Sequence, residues 1–352
     1  DESLKYEVII IDSGNDNSES VVANFQKLKP DLFLYRKIKR CKNRSLLRNR
    51  GAAKAQYDIL LFLDNDILVP PDYIQTHYEK HLRNDNLVLL GRRKSLTQFS
   101  LEDVGTDLLC RHFEMLDRLP WYDDERMYQN IGLEPWRFVY THSLSMPAEL
   151  FFKAGELDKK FGEQWGYEDI ELGFRLQYMG CNFEFLKEIC TYHQPHFNQS
   201  NKEQHTTEPN QKLLILLHNY YTIELLLRFY ASSKASLFDR LFPELQKLCH
   251  LQEYLPSKMI VNKYDLVLGC LFEPNGNSQI KNHKKMQLGC SIPFEDKSKG
   301  KILLVRTFYE LPEEVHRKCN CPLQVDSCSF DCSTCFHNFL YVSVRTRSVS
   351  LL

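Results

Sequence analysis

The chain has 352 residues, 43% hydrophobic and 26% charged, a globular composition long enough to bury a large core as one sizeable domain with an extension, or as two domains. Its 45 Lys and Arg against 46 Asp and Glu leave a formal charge of -1, so no overall basic field points to nucleic acid as a partner. The longest apolar runs, Ile59 to Leu63 and Leu213 to Leu217, fall far short of the roughly 18 to 20 residues that cross a bilayer, and the opening Asp1 to Tyr6 lacks a secretory pattern, so a cytoplasmic protein with no membrane span is expected.

The β-branched run Val8-Ile9-Ile10-Ile11 ends in the polar stretch Asp12 to Ser18, which predicts a buried strand followed by a loop. A helix is expected from Ser18 to about Leu28, with Val21, Val22 and Phe25 on one side, then a short strand over Leu32 to Tyr35. Arg44 to Tyr57 reads as a second helix with small residues at Ala52, Ala53 and Ala55, feeding the strand Ile59 to Leu63. Such alternation predicts an α/β protein with a mainly parallel central sheet flanked by helices, whose ligands collect at the carboxyl ends of the strands. The acidic loops at Asp12 and Asp64 lie at such ends.

In Leu60-Leu61-Phe62-Leu63-Asp64-Asn65-Asp66 an apolar strand delivers two carboxylates one position apart. Alternate residues of an extended segment point the same way, so Asp64 and Asp66 can converge on one site. Hard oxygen ligands suit Mg²⁺ or Mn²⁺, which completes its shell with water and substrate phosphates. A strand followed by a solvated turn accounts for the same residues.

Pro70-Pro71 opens a further helix through Tyr73, Tyr78 and Leu82, and Leu87 to Leu90 is a strand ending at Gly91-Arg92-Arg93-Lys94. Of that basic run, Lys94 reads as a solvated strand end, while Arg92 is a candidate contact for a diphosphate. No Gly-x-x-x-x-Gly-Lys loop is present, which counts against a P-loop kinase or ATPase. Residues 97–140 are irregular and rich in Trp, Tyr and Arg, as a substrate-shaping insertion would be. Phe161 to Tyr167 then gives way at Glu168-Asp169 to an amphipathic helix ending near Gly180. Carboxylates in a first helical turn face the positive end of the dipole, and a charged Asp169 is suited to take a proton from an acceptor hydroxyl. Capping by Glu168 and Asp169, with Glu171 and Arg175 as a surface pair, is the simpler account, and the two are compatible. Gln211 to Tyr230 is leucine-rich and reads as one core helix. Beyond Pro256 strand and turn signals mix.

The 12 cysteines are unevenly spread. Cys41, Cys110, Cys181, Cys190 and Cys249 are isolated. Cys319, Cys321, Cys328, Cys332 and Cys335 cluster near the end and offer a structural Zn²⁺ site, with His337 as an alternative ligand. Disulfides drawing on Cys270 and Cys290, or free thiols, fit the same spacing.

Asp12-Ser13-Gly14, Arg48-Asn49-Arg50-Gly51, Phe62-Leu63-Asp64-Asn65-Asp66 and Trp165-Gly166-Tyr167-Glu168-Asp169 occur in an order that resembles the family-2 glycosyltransferases with the GT-A fold. The resemblance runs from Tyr6 to about residue 200 and includes a galactosyltransferase-like Trp-Gly-x-Glu-Asp segment. It implies that Asp12 holds the nucleotide base, with Ser13 where a second acidic residue is common, and that Arg48 and Asn49 lie near the nucleotide. It assigns Asp64 to the ribose side and the metal, Asp66 to the metal bridging the diphosphate, and the late histidines His193 and His196 to completing the metal shell. Asp169 becomes the catalytic base, Glu168 positions the acceptor, and Trp165, Gly166 and Tyr167 form the acceptor loop. Thr141 to Ser145 stands where the family often carries an acceptor-side polar loop; Ser143 and Ser145 are equally consistent with a strand end.

The resemblance thus implies a metal-dependent, inverting hexosyl- or N-acetylhexosaminyl-transferase, using Mn²⁺ or Mg²⁺ and a nucleotide-sugar donor, a UDP-sugar above all. The acceptor is a glycan, lipid, peptide or small molecule. A noncatalytic carbohydrate- or protein-binding module on a decayed scaffold and a sugar nucleotidyltransferase are the rivals. Residues 1–200 are expected to form the catalytic domain, its family-typical first strand and helix missing from this chain. Residues 201–255 form a helical segment packing on that core, and residues 256–352 a C-terminal extension with the cysteine cluster.

Overall fold

The computed structural model describes residues 4–99, 104–162, 164–195, 207–218, 221–229, 235–249, 266–268, 286–287, 301–305 and 339–343. The chain divides into two compact units, Asp1–Thr207 and Glu208–Leu352.

In the first unit β1 (Val8–Asp12) and β2 (Phe33–Lys37) pair in parallel, with Val8 opposite Phe33 and Asp12 opposite Lys37. The crossover is α1 (Ser18–Leu28). A sheet two strands wide covers little. Val22 is buried, but Val21, Phe25 and Leu28 remain exposed, so the apolar side expected of this helix is only partly covered. α2 (Arg44–Ala52) starts at Asn43, whose side-chain oxygen accepts from the Leu46 amide at 2.8 Å. It ends before Tyr57 because Lys54 and Ala55 donate three residues back, to Gly51 and Ala52, tightening the last turn.

The larger sheet runs in the order β3 (Ile59–Leu63), β7 (Ser143–Pro147), β5 (Leu87–Leu96), β8 (Asn182–His193) and β4 (Ile67–Leu68), with β6 (Trp121–Tyr122) added to β5. β5 and β8 pair in parallel, whereas β3 with β7, β7 with β5, β4 with β8 and β6 with β5 are antiparallel. The pairing is therefore mixed where a mainly parallel sheet was expected. β3, β5 and β8 do run the same way, and β7 is reversed between the first two. Between β5 and β7 the helical elements among the described residues are the six-residue α4 (Thr106–Arg111) and three short 3-10 turns, and no long helix among them carries the chain back across the sheet for a parallel return.

β5 continues past its expected end at Leu90, so Gly91 to Lys94 lie inside a strand, with a bulge between Gly91 and Arg92. A Cβ on Gly91 would stand 1.7 Å from Ser143 Oγ, so β7 crosses too closely for any side chain there. Val88, Leu89, Leu90, Leu144 and Met146 are fully buried at the sheet's centre. α3 (Tyr73–His81) covers the serine side of β7 with polar groups. The Tyr73 hydroxyl lies 2.6 Å from Ser143 Oγ, and His77 Nδ1 and His81 Nε2 each lie 2.7 Å from Ser145 Oγ, all buried. Ser143 and Ser145 thus bind α3 to the sheet from inside, which removes them from any acceptor loop. After β7 come α5 (Ala148–Lys153) and α6 (Glu168–Tyr178), the second of which leads into β8.

In the second unit α7 (Glu208–His218) and α8 (Tyr221–Phe229) take the place of the single helix expected over Gln211 to Tyr230, followed by α9 (Ala235–Cys249). Leu214, Ile223, Leu226, Phe238 and Leu245 are buried. β9 (Leu266–Leu268), β10 (Met286–Gln287), β11 (Lys301–Val305) and β12 (Phe339–Ser343) form a sheet in the order β10-β9-β11-β12. The cysteine cluster Cys319 to Cys335 lies outside the described residues. No helix among the described residues is long and apolar enough to cross a membrane.

The α3 clasp is acid-sensitive. Burial lowers His77 to about 3, helped by His81, and lowers His81 to about 4 against the pull of Glu184. Both rings are neutral in the fold but protonate near 6.5 once unfolded. Their contribution is whole above about pH 6.5 and falls as pH drops toward about 4, by up to ~1.4 kcal/mol per pH unit for each histidine. Urea unfolding at about pH 7.5 and about pH 5 measures this, and equal stabilities would refute it. Because His77 Nε2 and His81 Nδ1 have no hydrogen-bond partner among the described residues, both rings depend on the Ser145 hydroxyl, and Ser145→Ala should cost about 2–4 kcal/mol.

Candidate active site

Strand direction gathers the polar groups of the first unit at one sheet edge. Asp64 follows β3, Asp66 precedes β4, His142 precedes β7 and His193 closes β8. The Asp64 amide donates to the His142 carbonyl at 3.4 Å and the Gln194 amide to the Asp66 carbonyl at 3.0 Å, while Ile67 is paired with His193. The two aspartates turn to different partners. Asp64 Oδ1 accepts from Arg48 Nη2 at 3.1 Å, and Asp66 Oδ2 lies 3.3 Å from His193 Nε2. Neighbouring ligands on an octahedral ion with bonds of about 2.1 Å stand about 3 Å apart, so Asp66 and His193 fit one small divalent cation. Among the described residues no three His, Cys, Asp or Glu side chains form a complete cage. Mg²⁺ and Mn²⁺ suit such a partial set, since water and substrate phosphates supply the rest. His196 lies outside the described residues.

α2 projects Arg48 toward both Asp64 and the start of α6. Its Nη1 donates to Glu168 Oε1 at 3.0 Å while Nη2 holds Asp64. Burial works against the charge of Arg48, but Asp64, Glu168 and Asp169 together raise its pKa above the usual value. Glu168 is buried, and its Oε2 has no partner among the described residues. Asp169, half-buried beside it, accepts from the Ile170 amide at 2.9 Å and the Thr141 amide at 3.3 Å. Burial, then the charge of Glu168, raise Asp169 to about 7 against the opposing effect of Arg48. A carboxyl tuned there is suited to take a proton near neutral pH.

The loop before α6 is set by its backbone. Gly166 has φ +85° and Tyr167 φ +71°, and a left-handed Tyr costs about 1–2 kcal/mol. That turn aims Glu168 and Asp169 inward. Trp165 is exposed, with the Arg44 guanidinium 5.9 Å from its ring centroid. Upstream, the loop is docked on α2: Asn43 Nδ2 donates to the Lys159 carbonyl at 2.8 Å and the Arg44 amide to the Gly162 carbonyl at 3.3 Å. A Cβ on Gly162 would sit 1.9 Å from Asn43 Oδ1.

Other expected site residues have different company. Asp12 accepts from the Tyr35 hydroxyl at 2.6 Å, the Gly14 amide at 2.6 Å and Lys37 Nζ at 2.9 Å; the Tyr35 and Lys37 bonds lower its pKa most. Ser13 is half-buried next to it. Asn49, expected near the nucleotide, is buried and clamps Leu157 through both main-chain groups at 2.9 and 3.1 Å. Arg92 grips Asp123 of the insertion through Nη2 at 2.8 and 2.9 Å, so its guanidinium is already matched to a carboxylate. Lys94, expected in solvent, is buried, paired with Asp117 and 4.1 Å from the Trp121 ring centroid.

Arg126 and Asp124 escape sequence reasoning. Arg126 is fully buried and holds Asp124 through Nε at 2.8 Å and Nη2 at 2.6 Å, while donating to the Phe138 and Gly91 carbonyls at 3.1 and 2.6 Å. Its Nη2 also lies 3.3 Å from His142 Nε2. Burial, then Arg126 and Arg93, keep buried His142 well below the usual histidine range, hence neutral. No periodicity or spacing marks these residues, because each is defined by a distant loop folding over the sheet edge.

Residues 2–130 match the family model described as Glycosyl transferase family 2. The chain is 24% identical over 314 residues to the uncharacterized glycosyltransferase YfnE of Bacillus subtilis, covering 77% of each chain. It is 27% identical over 234 residues to the chondroitin synthase of Escherichia coli, covering 60% of this chain but only 33% of that protein. Among solved structures, S. aureus TarS in complex with UDP-GlcNAc aligns at 12% identity with a TM-score of 0.45, over 70% of this chain and 64% of that one. The family match falls on the segment that carries Asp12, Arg48, Asp64 and Asp66, so residues 2–130 are similar to glycosyltransferase family 2.

Proposed function

We propose that this enzyme moves a hexosyl or N-acetylhexosaminyl group from a nucleoside-diphosphate sugar, taken as a UDP-sugar from the family resemblance, to an acceptor hydroxyl with inversion. The observation that carries the reading is the fork of Arg48, 3.1 Å from Asp64 and 3.0 Å from Glu168. It brings a donor-side carboxylate and the Glu168-Asp169 pair within the span of one guanidinium.

Asp169 takes the acceptor's proton as the acceptor oxygen bonds to the anomeric carbon and the bond to the leaving phosphate breaks. The transition state is oxocarbenium-like, as in glycoside hydrolysis. A single base on the face opposite the leaving group suffices for inversion, and no second carboxylate is needed as a nucleophile. Glu168, fixed by Arg48, orients the acceptor, and exposed Trp165 offers it an apolar face. Asp66 and His193 would hold Mn²⁺ or Mg²⁺, which when bound stabilises charge on the leaving diphosphate. Asp64 serves the ribose side, and Asp12 the base. The likeness to chondroitin synthase, although confined to 33% of that protein, supports a glycan among the acceptors to be tried first.

A panel of nucleotide sugars and glycan acceptors, assayed with Mn²⁺ and with chelator, tests the reading. Transfer should depend on the metal, and Asp66→Ala should lower it by about a hundredfold or more; metal-independent transfer would contradict the assignment. Transfer should rise with pH through about 7 as Asp169 ionises and disappear in Asp169→Asn. That variant should remain at least as stable as the parent above neutral pH, because the fold disfavours the aspartate's charge. Arg48→Ala strips a buried glutamate of its cation and should cost about 2–4 kcal/mol, less than breaking a fully buried pair because Arg48 keeps some contact with water. It should also move the activity midpoint to higher pH, and a pH profile unchanged by the substitution would remove Arg48 from this role.

A further inference from the structure

The cations around β5 are matched to carboxylates with one exception. Arg92 is bidentate on Asp123, Lys94 is paired with Asp117, and Arg126 with Asp124. Arg93 is half-buried, and its guanidinium has no hydrogen bond or ion pair among the described residues. Only its main chain is tied down, the amide donating to Asp124 Oδ2 at 3.0 Å. That carboxylate is already spent on Arg126, whose own positive charge lies close by.

Arg93 belongs to the active-site edge. It stands opposite Thr191 on β8, two residues before His193, and the charges of Asp64 and Asp66 act on it while its own acts on His142. These carboxylates do not neutralise it: Asp64 is held by Arg48 and Asp66 by His193. Burial and Arg126 outweigh the acidic neighbours and leave its pKa below the usual arginine value. A partly dehydrated cation without a counter-charge is costly, and a divalent ion on the acidic pair would make its surroundings more positive still. An anionic group is the natural counter-charge for such a cation.

We propose that Arg93, rather than Arg92, is the protein's cationic contact for the diphosphate of the nucleotide-sugar donor. Its planar fork suits two phosphate oxygens. Arg48 does not offer the same contact, because Asp64 and Glu168 already occupy its guanidinium. This inference rests on the transferase reading above.

Titration calorimetry of the full chain with UDP and with UMP, in Mn²⁺, tests it in the parent, Arg93→Gln and Arg93→Lys. The parent should prefer UDP over UMP. In Arg93→Gln that preference should shrink about tenfold or more, with Arg93→Lys in between. The unliganded Arg93→Gln protein should unfold at the same temperature as the parent or a higher one, since the change removes an unmatched charge. An unchanged UDP-to-UMP preference, equal weakening of both nucleotides, or a lower unfolding temperature would each overturn the role. If the parent does not bind UDP with Mn²⁺, the transferase reading fails first and the role of Arg93 with it. If the parent binds and Arg93→Gln binds alike, the role of Arg93 alone is lost.

Discussion

The guanidinium of Arg48 stands between carboxylates that belong to different parts of the site, Asp64 at the end of β3 and Glu168 at the start of α6. Two adjacent acids at a helix start repel one another, and burial adds to the cost of ionising both. Arg48 relieves that cost by direct contact for Glu168 and only at a distance for Asp169. Glu168 receives the cation directly, whereas Asp169 receives two backbone amides and is left titrating near neutrality. The division of labour between neighbouring carboxylates thus depends on which of them the arginine touches.

The position of Arg48 is in turn secured by amides rather than charges. Asn43 begins α2 and binds the loop at Lys159, and Asn49, one position beyond Arg48, clamps Leu157 at both main-chain groups. These bonds fasten the helix that carries the arginine to the segment leading into α6. Beneath the sheet edge the Tyr73, His77 and His81 contacts fix β7 by its serines, and β7 in turn presents His142 beside the acidic pair. Buried polar groups, each bonded to a specific partner, set the register of the site in a way that apolar packing alone does not.

Much of this was readable in the residues. Alternation along Leu60 to Asp66 was enough to send two carboxylates past a strand tip, and the aromatic and glycine loop before Glu168 marked a helix start. What sequence could not assign was the partner of each charge. The basic run after Leu90 reads as a strand end with Arg92 as its donor-side group, whereas β5 carries it inside a strand, where regular side chains would alternate strictly. The bulge at Gly91 and Arg92 alters that alternation, and the insertion supplies Asp123 and Asp117 to occupy Arg92 and Lys94. Asn49 was placed near the nucleotide through its motif, yet its amide serves a loop more than a hundred residues away. Interactions of such long separation leave no local periodicity to read.

Tyr167 gives the loop above the site an uneven mechanical character. A residue other than glycine held in the left-handed region stores conformational energy, and here the store lies immediately before the two acids, while the upstream end of the same loop is bolted to α2 through Asn43. Any rearrangement of the backbone around Trp165 to Tyr167 would release that energy, whereas lifting Lys159 to Gly162 would break hydrogen bonds. The loop thus carries backbone strain next to the two acids and hydrogen bonds next to the arginine-bearing helix.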